Sequence, residues 1–410
     1  MSFQDTARRT FSSLANDNYR KFFFGQTISL VGTWMQTTAQ SWLVLTLTHS
    51  PTDIGWVVAL QTLPVLFLGP YGGVIADRID KRRLMVVLQS FMGIQAATLA
   101  ILALAHMVTF LDVCVLAVVL GLNNSFENPS RQAFVLEMVG ADHVRNAVSL
   151  NSTMNNVARA VGPAVAGVLI ATVGEGWCFA ANALSFVAVV GSLVAMDQRT
   201  LRPSPPTPRT RGQLIEGFRY VARTPELGVP LLMMALVGML TYEFQVTLPV
   251  LAESVFHGNA VAYGGMTAAM GIGAVGGGLV TATRGRTGLV ALIRSALVFG
   301  VFVAGAAISP VLAVAYAALA LVGYASVSFL AMANSTLQLK TDPQLRGRVM
   351  ALWGVAFMGS TPIGGPVIGW ITSQFGARTG LATGAASCVV AALIGVLAIH
   401  HQRAKGLVLE

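Results

Sequence analysis

The chain has 410 residues, of which 54% are hydrophobic and 10% charged, with a formal net charge of +9. Soluble domains carry about 25% charged residues, and a single globule cannot hide so large an apolar fraction, whereas a bilayer accepts it, so the composition is that of a polytopic membrane protein. The basic residues stand in short clusters between apolar runs and form no continuous face, which argues against nucleic acid as a partner, and Cys114, Cys178 and Cys388 lie in separate apolar segments with neither metal-ligand nor disulfide spacing.

Runs of ~20 apolar residues, the length that crosses a bilayer, fall near 22–47, 54–76, 84–106, 110–132, 144–171 and 177–196. Six more fall near 227–252, 259–282, 288–308, 311–337, 347–374 and 380–400. The expected fold is an all-α membrane protein of twelve transmembrane helices. Arg8, Arg9, Arg20 and Lys21 precede the first run, but it is too long for a signal-peptide core and no small-residue cleavage site follows Leu47, so it is expected to stay as the first helix. Of the 26 Lys and Arg residues, all but Arg159 and Arg378 fall in the two tails, the central segment, or the connections after spans two, four, eight and ten. The positive-inside rule then places both termini in the cytoplasm.

Thr33, Gln36 and Gln40 recur at helical spacing on the first span and give it one polar face. After the second span the chain reads Gly72-Gly73-Val74-Ile75-Ala76-Asp77-Arg78-Ile79-Asp80-Lys81-Arg82-Arg83, a glycine-rich helix end running into a dense charge cluster that must lie outside the hydrocarbon. Gly72 and Gly73 permit close approach of a neighbouring helix. Asp77, at the membrane edge, can pair with a cation or accept from the amides of a helix start. Arg78, Lys81, Arg82 and Arg83 are read as orienting cations.

Glu127 and Arg131 stand one turn apart on the fourth span, where an i, i+4 ion pair is the simplest arrangement. Asn151, Asn155 and Arg159 make a second polar stripe on the fifth, with Arg159 deep in the span. Glu243 lies at a comparable depth on the seventh. Ionisable groups in spans cost about 2.5 to 3.5 kcal/mol on insertion scales, so they are expected to face a cavity or pair within the bundle. Arg159 and Glu243 are expected to face a central cavity, with Glu243 the candidate titrating carboxylate. The two polar stripes are assigned to the substrate path; the competing reading is interhelical hydrogen bonding, worth about 0.6 kcal/mol per contact.

A polar, proline-rich stretch, Arg199 to Arg209, separates the sixth and seventh spans. Beyond it Leu214, Ile215, Phe218 and Val221 recur at helical spacing among Arg211, Glu216, Arg219 and Arg223, as in an amphipathic helix at the membrane surface. The expected organisation is therefore an amino-terminal six-helix bundle over 1–196, a linker with an amphipathic helix over 197–224, and a carboxy-terminal six-helix bundle over 225–410. The halves repeat each other. Arg145-Asn146-Ala147-Val148 followed by Gly162-Pro163 matches Arg346-Gly347-Arg348-Val349 followed by Gly365-Pro366, and Gly277-Gly278 to Arg286 is a degenerate copy of the turn at 72–83 with Ala282 in place of the acid. The two bundles are thus expected to be pseudo-symmetric.

The six-plus-six repeat, the long central segment and the G-x-x-x-D-R-x-x-x-R-R type turn resemble the major facilitator superfamily over the whole chain. Gly25-Gln26-Thr27-Ile28-Ser29, Trp34-Met35-Gln36, Gln40-Ser41-Trp42-Leu43-Val44, Asn128-Pro129-Ser130-Arg131-Gln132-Ala133 and Arg346-Gly347-Arg348-Val349 resemble its exporter branch of siderophore and macrolide efflux proteins. The resemblance implies a gating role for Gly73, Asp77, Arg78, Arg82 and Arg131, with Asp77 meeting Arg131 and the helix start near 346–349 to lock the cytoplasmic side. Some efflux relatives carry an acid before the first-span tryptophan, where this chain has Thr33. The expected function is secondary active transport in the bacterial inner membrane, by a monomer that exports an amphipathic organic compound, such as a drug or siderophore, against protons by alternating access. The alternative is an importer or uncoupled facilitator of a small polar metabolite. No P-loop, hydrolase triad or metal cluster is visible and the six histidines fall at helix ends or loops, so no cofactor is expected and a membrane enzyme or sensor is the remote alternative.

Overall fold

The computed structural model describes residues 12–140, 142–201, 218–222, 224–284, 287–342 and 345–404. Every apolar run condenses into helix, because within lipid each backbone N–H and C=O must be bonded inside its own segment. The helices are α1 (Asp17–Thr48), α2 (Pro51–Arg78), α3 (Lys81–Leu104), α4 (Phe110–Val139), α5 (Val144–Val173), α6 (Glu175–Val194), α7 (Pro225–Leu240) and α8 (Phe244–Val250). They continue as α9 (Ala260–Arg284), α10 (Leu289–Ala307), α11 (Leu312–Lys340), α12 (Arg346–Met358), α13 (Thr361–Phe375) and α14 (Ala377–Ala404).

Eleven segments among the described residues are long and apolar enough to cross a bilayer. The twelfth is α1, 32 residues long, in which Thr, Gln and Ser dilute the apolar residues. Connections are short and their chemistry is local. Asp80 caps α3 by accepting from the Arg83 amide at 2.7 Å, and Thr109 with Asp112 forms a reciprocal capping box at the start of α4. His49, His106 and His257 end α1, α3 and the seventh span in the left-handed region, at φ of 52°, 55° and 47°.

Two spans expected to be continuous are broken. The seventh is interrupted at Thr241–Tyr242–Glu243 between α7 and α8, and the eleventh at Gly359–Ser360 between α12 and α13. At the first break Thr241 and Tyr242 bond neighbouring helices, and at the second Ser360 returns its hydroxyl to the Phe357 carbonyl of α12.

The chain forms two compact units: Met1–Leu43 with Leu63–Pro208, and Val44–Thr62 with Arg209–Glu410. Residues 44–62, expected in the amino-terminal bundle, group with the second unit. In the first unit α3 packs along α6 and α4, and α5 along α6. In the second, α9 packs along α11, and α10 along α14 and α11, with α7 beside α14. Of the expected amphipathic helix, 218–222 is helical, with Phe218 and Arg219 exposed and Val221 buried against Leu227, Leu231, Leu337 and Val349. Arg211, Leu214, Ile215, Glu216 and Arg223 lie outside the described residues.

The internal repeat is visible in packing. Gly72 on α2 lies against the Ser125 carbonyl of α4, and Gly277 on α9 against the Tyr324 carbonyl of α11; a Cβ at either position would overlap that backbone oxygen. The neighbouring Gly276 has open space around it. Gly277→Ala is therefore expected to destabilise the detergent-solubilised protein by about 1 to 3 kcal/mol through overpacking, with Gly276→Ala close to neutral. Thermal unfolding of the two variants checks this, and equal melting temperatures would contradict it.

Candidate functional site

In the first unit the charge-rich turn is wired into its own bundle. Lys81 is buried and its Nζ lies 2.7 Å from Glu137 Oε1 on α4, with both side chains 7% exposed. Arg82 donates from Nε to the Leu193 carbonyl at 2.7 Å and from Nη2 to the Val194 carbonyl at 2.9 Å, capping the carboxyl end of α6 where a cation is favoured by the helix dipole. Arg78 is exposed. Gly73 and Asp77 belong to α2, but their side chains are outside the described set, and so is the expected Asp77 to Arg131 contact. Beyond the orienting role expected of the turn's cations, Lys81 is a buried cation paired within the bundle. Its partner lies 56 residues away, a distance that no local pattern in the sequence spans.

Arg131 is held by its own helix. Its Nε lies 3.0 Å from Glu127 Oε1 and its Nη2 donates to Asn128 Oδ1 at 2.9 Å, with Asn151 Oδ1 of α5 at 3.5 Å from Nη1. The i, i+4 pair of Glu127 and Arg131 is thus formed. Gln89 on α3 donates to the same Glu127 oxygen at 3.1 Å, which makes Glu127 the centre of a buried polar cluster joining α3, α4 and α5.

The polar stripe of α1 divides between two uses. Gln36 donates to Gln95 Oε1 at 3.1 Å and accepts from Asn182 Nδ2 at 2.7 Å, so it ties α1 to α3 and α6. Gln40 is buried, and Thr33 returns its hydroxyl to the Ser29 carbonyl at 2.9 Å. Gln95 and Asn182 carry this network and were not singled out from the sequence. On α5, Asn155 accepts from Trp34 Nε1 at 3.1 Å and the Arg159 guanidinium sits 4.8 Å above the Trp34 ring, a cation–π contact that gives an arginine in a span a favourable neighbour.

The second unit is organised at the break in the seventh span. Thr241 bonds the Gly384 carbonyl at 2.9 Å and the Ser387 hydroxyl at 2.7 Å on α14. Tyr242 donates to the Ser326 carbonyl of α11 at 2.8 Å, and its ring packs on Phe299 and Phe357. Glu243, 3% exposed, turns its carboxyl toward the start of α13. Its Oε1 lies 3.0 Å from where a Cβ on Gly364 would stand. Among the described residues that oxygen is buried and has no hydrogen-bond partner. Three consecutive side chains thus address three different helices. The sequence marked Glu243 as an acid within a span; Thr241 and Tyr242 it did not mark, because hydroxyls are common in apolar helices.

A family described as transmembrane secretion effector, within the major facilitator group, matches residues 8–405. The enterobactin exporter EntS of Shigella boydii and of Escherichia coli is 26% identical over 388 residues, 92% of this chain and 90% of that protein. The staphyloferrin A transporter of Staphylococcus aureus is 29% identical over 265 residues, 64% of this chain, and the match spans only 65% of that transporter's own length. Among solved structures, the nucleoside transporter NupG superposes with a TM-score of 0.74 at 13% identity, over 93% of this chain and 99% of that one. A bacterial homologue of the lysosomal transporter Spinster gives 0.70 at 15%, over 93% and 94%.

The Lys81–Glu137 pair yields a direct test. Removing one partner leaves the other charge buried and uncompensated, at a cost of about 3 to 5 kcal/mol, whereas replacing both by apolar residues relieves it. Lys81→Met and Glu137→Gln are each expected to lower unfolding stability strongly, and Lys81→Met with Glu137→Leu to recover most of the loss. An additive double variant would contradict the pairing.

Proposed function

The chain belongs to the transmembrane secretion effector family of the major facilitator superfamily, and from that premise we propose that it is a proton-coupled exporter of an amphipathic organic compound of siderophore or drug type. It is a multi-pass membrane transporter of small molecules and not an enzyme. Two relatives carry the names of siderophores, one of them as an exporter over nearly the whole chain, which favours export over import and a siderophore-like cargo over a simple metabolite.

The observation that carries the coupling is Glu243. A carboxyl buried in a broken membrane helix, with one oxygen lacking a donor among the described residues, costs more than a satisfied one. A proton on that carboxyl is the smallest partner available, and carboxylates at such depth mark proton relays in transporters. Discontinuous helices near the midplane are where secondary transporters place substrate and coupling-ion sites.

The remaining roles follow the same scheme. Arg159 on its Trp34 platform, with Asn155, Asn151, Glu127, Thr33 and Gln40, lines the substrate path, and Gln36 holds that wall in place through Gln95 and Asn182. Arg159 suits an anionic cargo. Gly73, Asp77, Arg78, Arg82 and Arg131 form the cytoplasmic gate, with Arg82 anchoring the turn to α6. Two six-helix halves, 1–196 and 225–410 with the linker between, rock about the central site, and the protein works as a monomer in the bacterial inner membrane with both termini in the cytoplasm.

Inside-out vesicles with an imposed pH gradient test the coupling, using enterobactin and a panel of amphipathic drugs as probes. Wild-type vesicles are expected to accumulate at least one probe when protons are supplied from the lumen. Glu243→Gln is expected to reduce that accumulation to the level of vesicles lacking the protein, at unchanged expression. Gradient-driven accumulation by Glu243→Gln at the wild-type rate would overturn the assignment.

A further inference from the structure

We propose that the corner where α1, α3 and the carboxyl end of α6 meet binds a phospholipid with an anionic headgroup. The corner lies wholly within the first unit and involves neither Glu243 nor Arg159.

The end of α6 draws cations from two other helices. Lys21 of α1 donates to the Ala195 carbonyl at 3.1 Å, and Arg82 of α3 donates to the adjoining Val194 carbonyl at 2.9 Å and to that of Leu193 at 2.7 Å. Successive carbonyls at a helix end point the same way, so an ammonium and a guanidinium are brought to one spot. Each keeps donors to give. An ammonium has three and a guanidinium five, and α6 takes one from Lys21 and two from Arg82. Arg83, the next residue, is exposed, and among the described residues its guanidinium makes no hydrogen bond or ion pair; only its amide is engaged, by Asp80.

The acids nearby do not cancel this charge. Asp17 pairs with Arg20 and lies 3.6 Å from Lys21, Asp80 caps α3, and Asp197 accepts from the Arg199 amide beyond α6. Arg20, Lys21, Arg82, Arg83 and Arg199 stand against those three carboxylates, so the corner is net positive. A phosphate set between Lys21, Arg82 and Arg83 would take charge-assisted bonds from donors that α6 leaves unused.

The apolar half of a lipid is provided for directly beneath. On α1 the exposed residues Arg20, Phe24 and Ile28 recur every fourth position, and on α3 Arg83, Val87 and Phe91 do the same, so each helix carries one outward stripe that starts at an arginine. α6 runs between them, with Gly25 of α1 against Ser192 and Gly93 of α3 against Phe186. Its exposed Gly191 has open space where a Cβ would stand, which leaves room for a chain beside Phe24. An apolar face on a spanning helix is covered by acyl chains in any case. Basic groups heading two such stripes at one helix end select which headgroup those chains carry.

Native mass spectrometry of the full chain released from mixed micelles at low ionic strength tests the site, with phosphatidylglycerol and phosphatidylcholine at equal mole fraction as probes. The wild-type chain is expected to retain phosphatidylglycerol in preference. Lys21→Gln and Arg83→Gln are each expected to lower that preference about fivefold, and Arg83→Lys to keep it. Arg294→Gln, which removes an exposed cation of α10 in the second unit, is expected to leave it intact. Arg83 is exposed and unbonded, so its two variants carry the test alone should Lys21→Gln fail to fold. Equal retention of the two lipids by the wild-type chain, or a preference that survives Arg83→Gln, overturns the site. A loss in Arg294→Gln as large as that in Arg83→Gln overturns it in favour of general surface charge. Displacement of phosphatidylglycerol by millimolar inorganic phosphate overturns the lipid assignment in favour of a free-anion site.

Discussion

An ionisable carboxyl inside a lipid-embedded bundle has to be given a partner, and the break in the seventh span is built around that requirement. The residues on either side of it are tied down first. Thr241 is fixed to α14 and Tyr242 to α11, so the chain cannot relax by turning Glu243 outward. The carboxyl is left pointing at the start of α13, with Gly364 close against its Oε1. Neither break follows from proline alone.

The first unit solves the same physical problem in the opposite way. Its buried charges are matched within the bundle: Lys81 with Glu137, and Arg131 with Glu127 and Asn128, while Gln36 is tied to Gln95 and Asn182. A network whose members are paired fixes its helices in one arrangement, whereas one with an open valence can accept a ligand. Arg82, donating to the last carbonyls of α6, shows how the glycine-to-arginine turn contributes to the scaffold: it staples the end of one helix to the start of another.

Apolar run length made the helices legible in the sequence, and the glycine pairs made the repeat legible, because both are properties of neighbouring residues. Gly72 and Gly277 do in the structure what small residues at a lipid-embedded helix end are expected to do. Glu127 with Arg131 was legible for the same reason, lying one turn apart. What the sequence hid depends on distant partners. Lys81 reads as one orienting cation among four, and its pairing with Glu137, 56 residues away, shows only in the fold. Gln36 shared a stripe with Thr33 and Gln40, yet Asn182 and Gln95 claim it for the bundle. The interruption at Thr241–Glu243 carries no glycine or proline, so nothing local distinguishes it from continuous helix.

The central claim is that Glu243 couples transport to protons without being needed to hold the cargo. Equilibrium exchange in proteoliposomes separates those two duties, because labelled substrate can swap across the membrane through the loaded carrier with no net proton movement. The account predicts that Glu243→Gln retains exchange near the wild-type rate while losing net uphill transport under a pH gradient. Loss of both together, at wild-type folding and insertion, would contradict it and make Glu243 part of the substrate site instead.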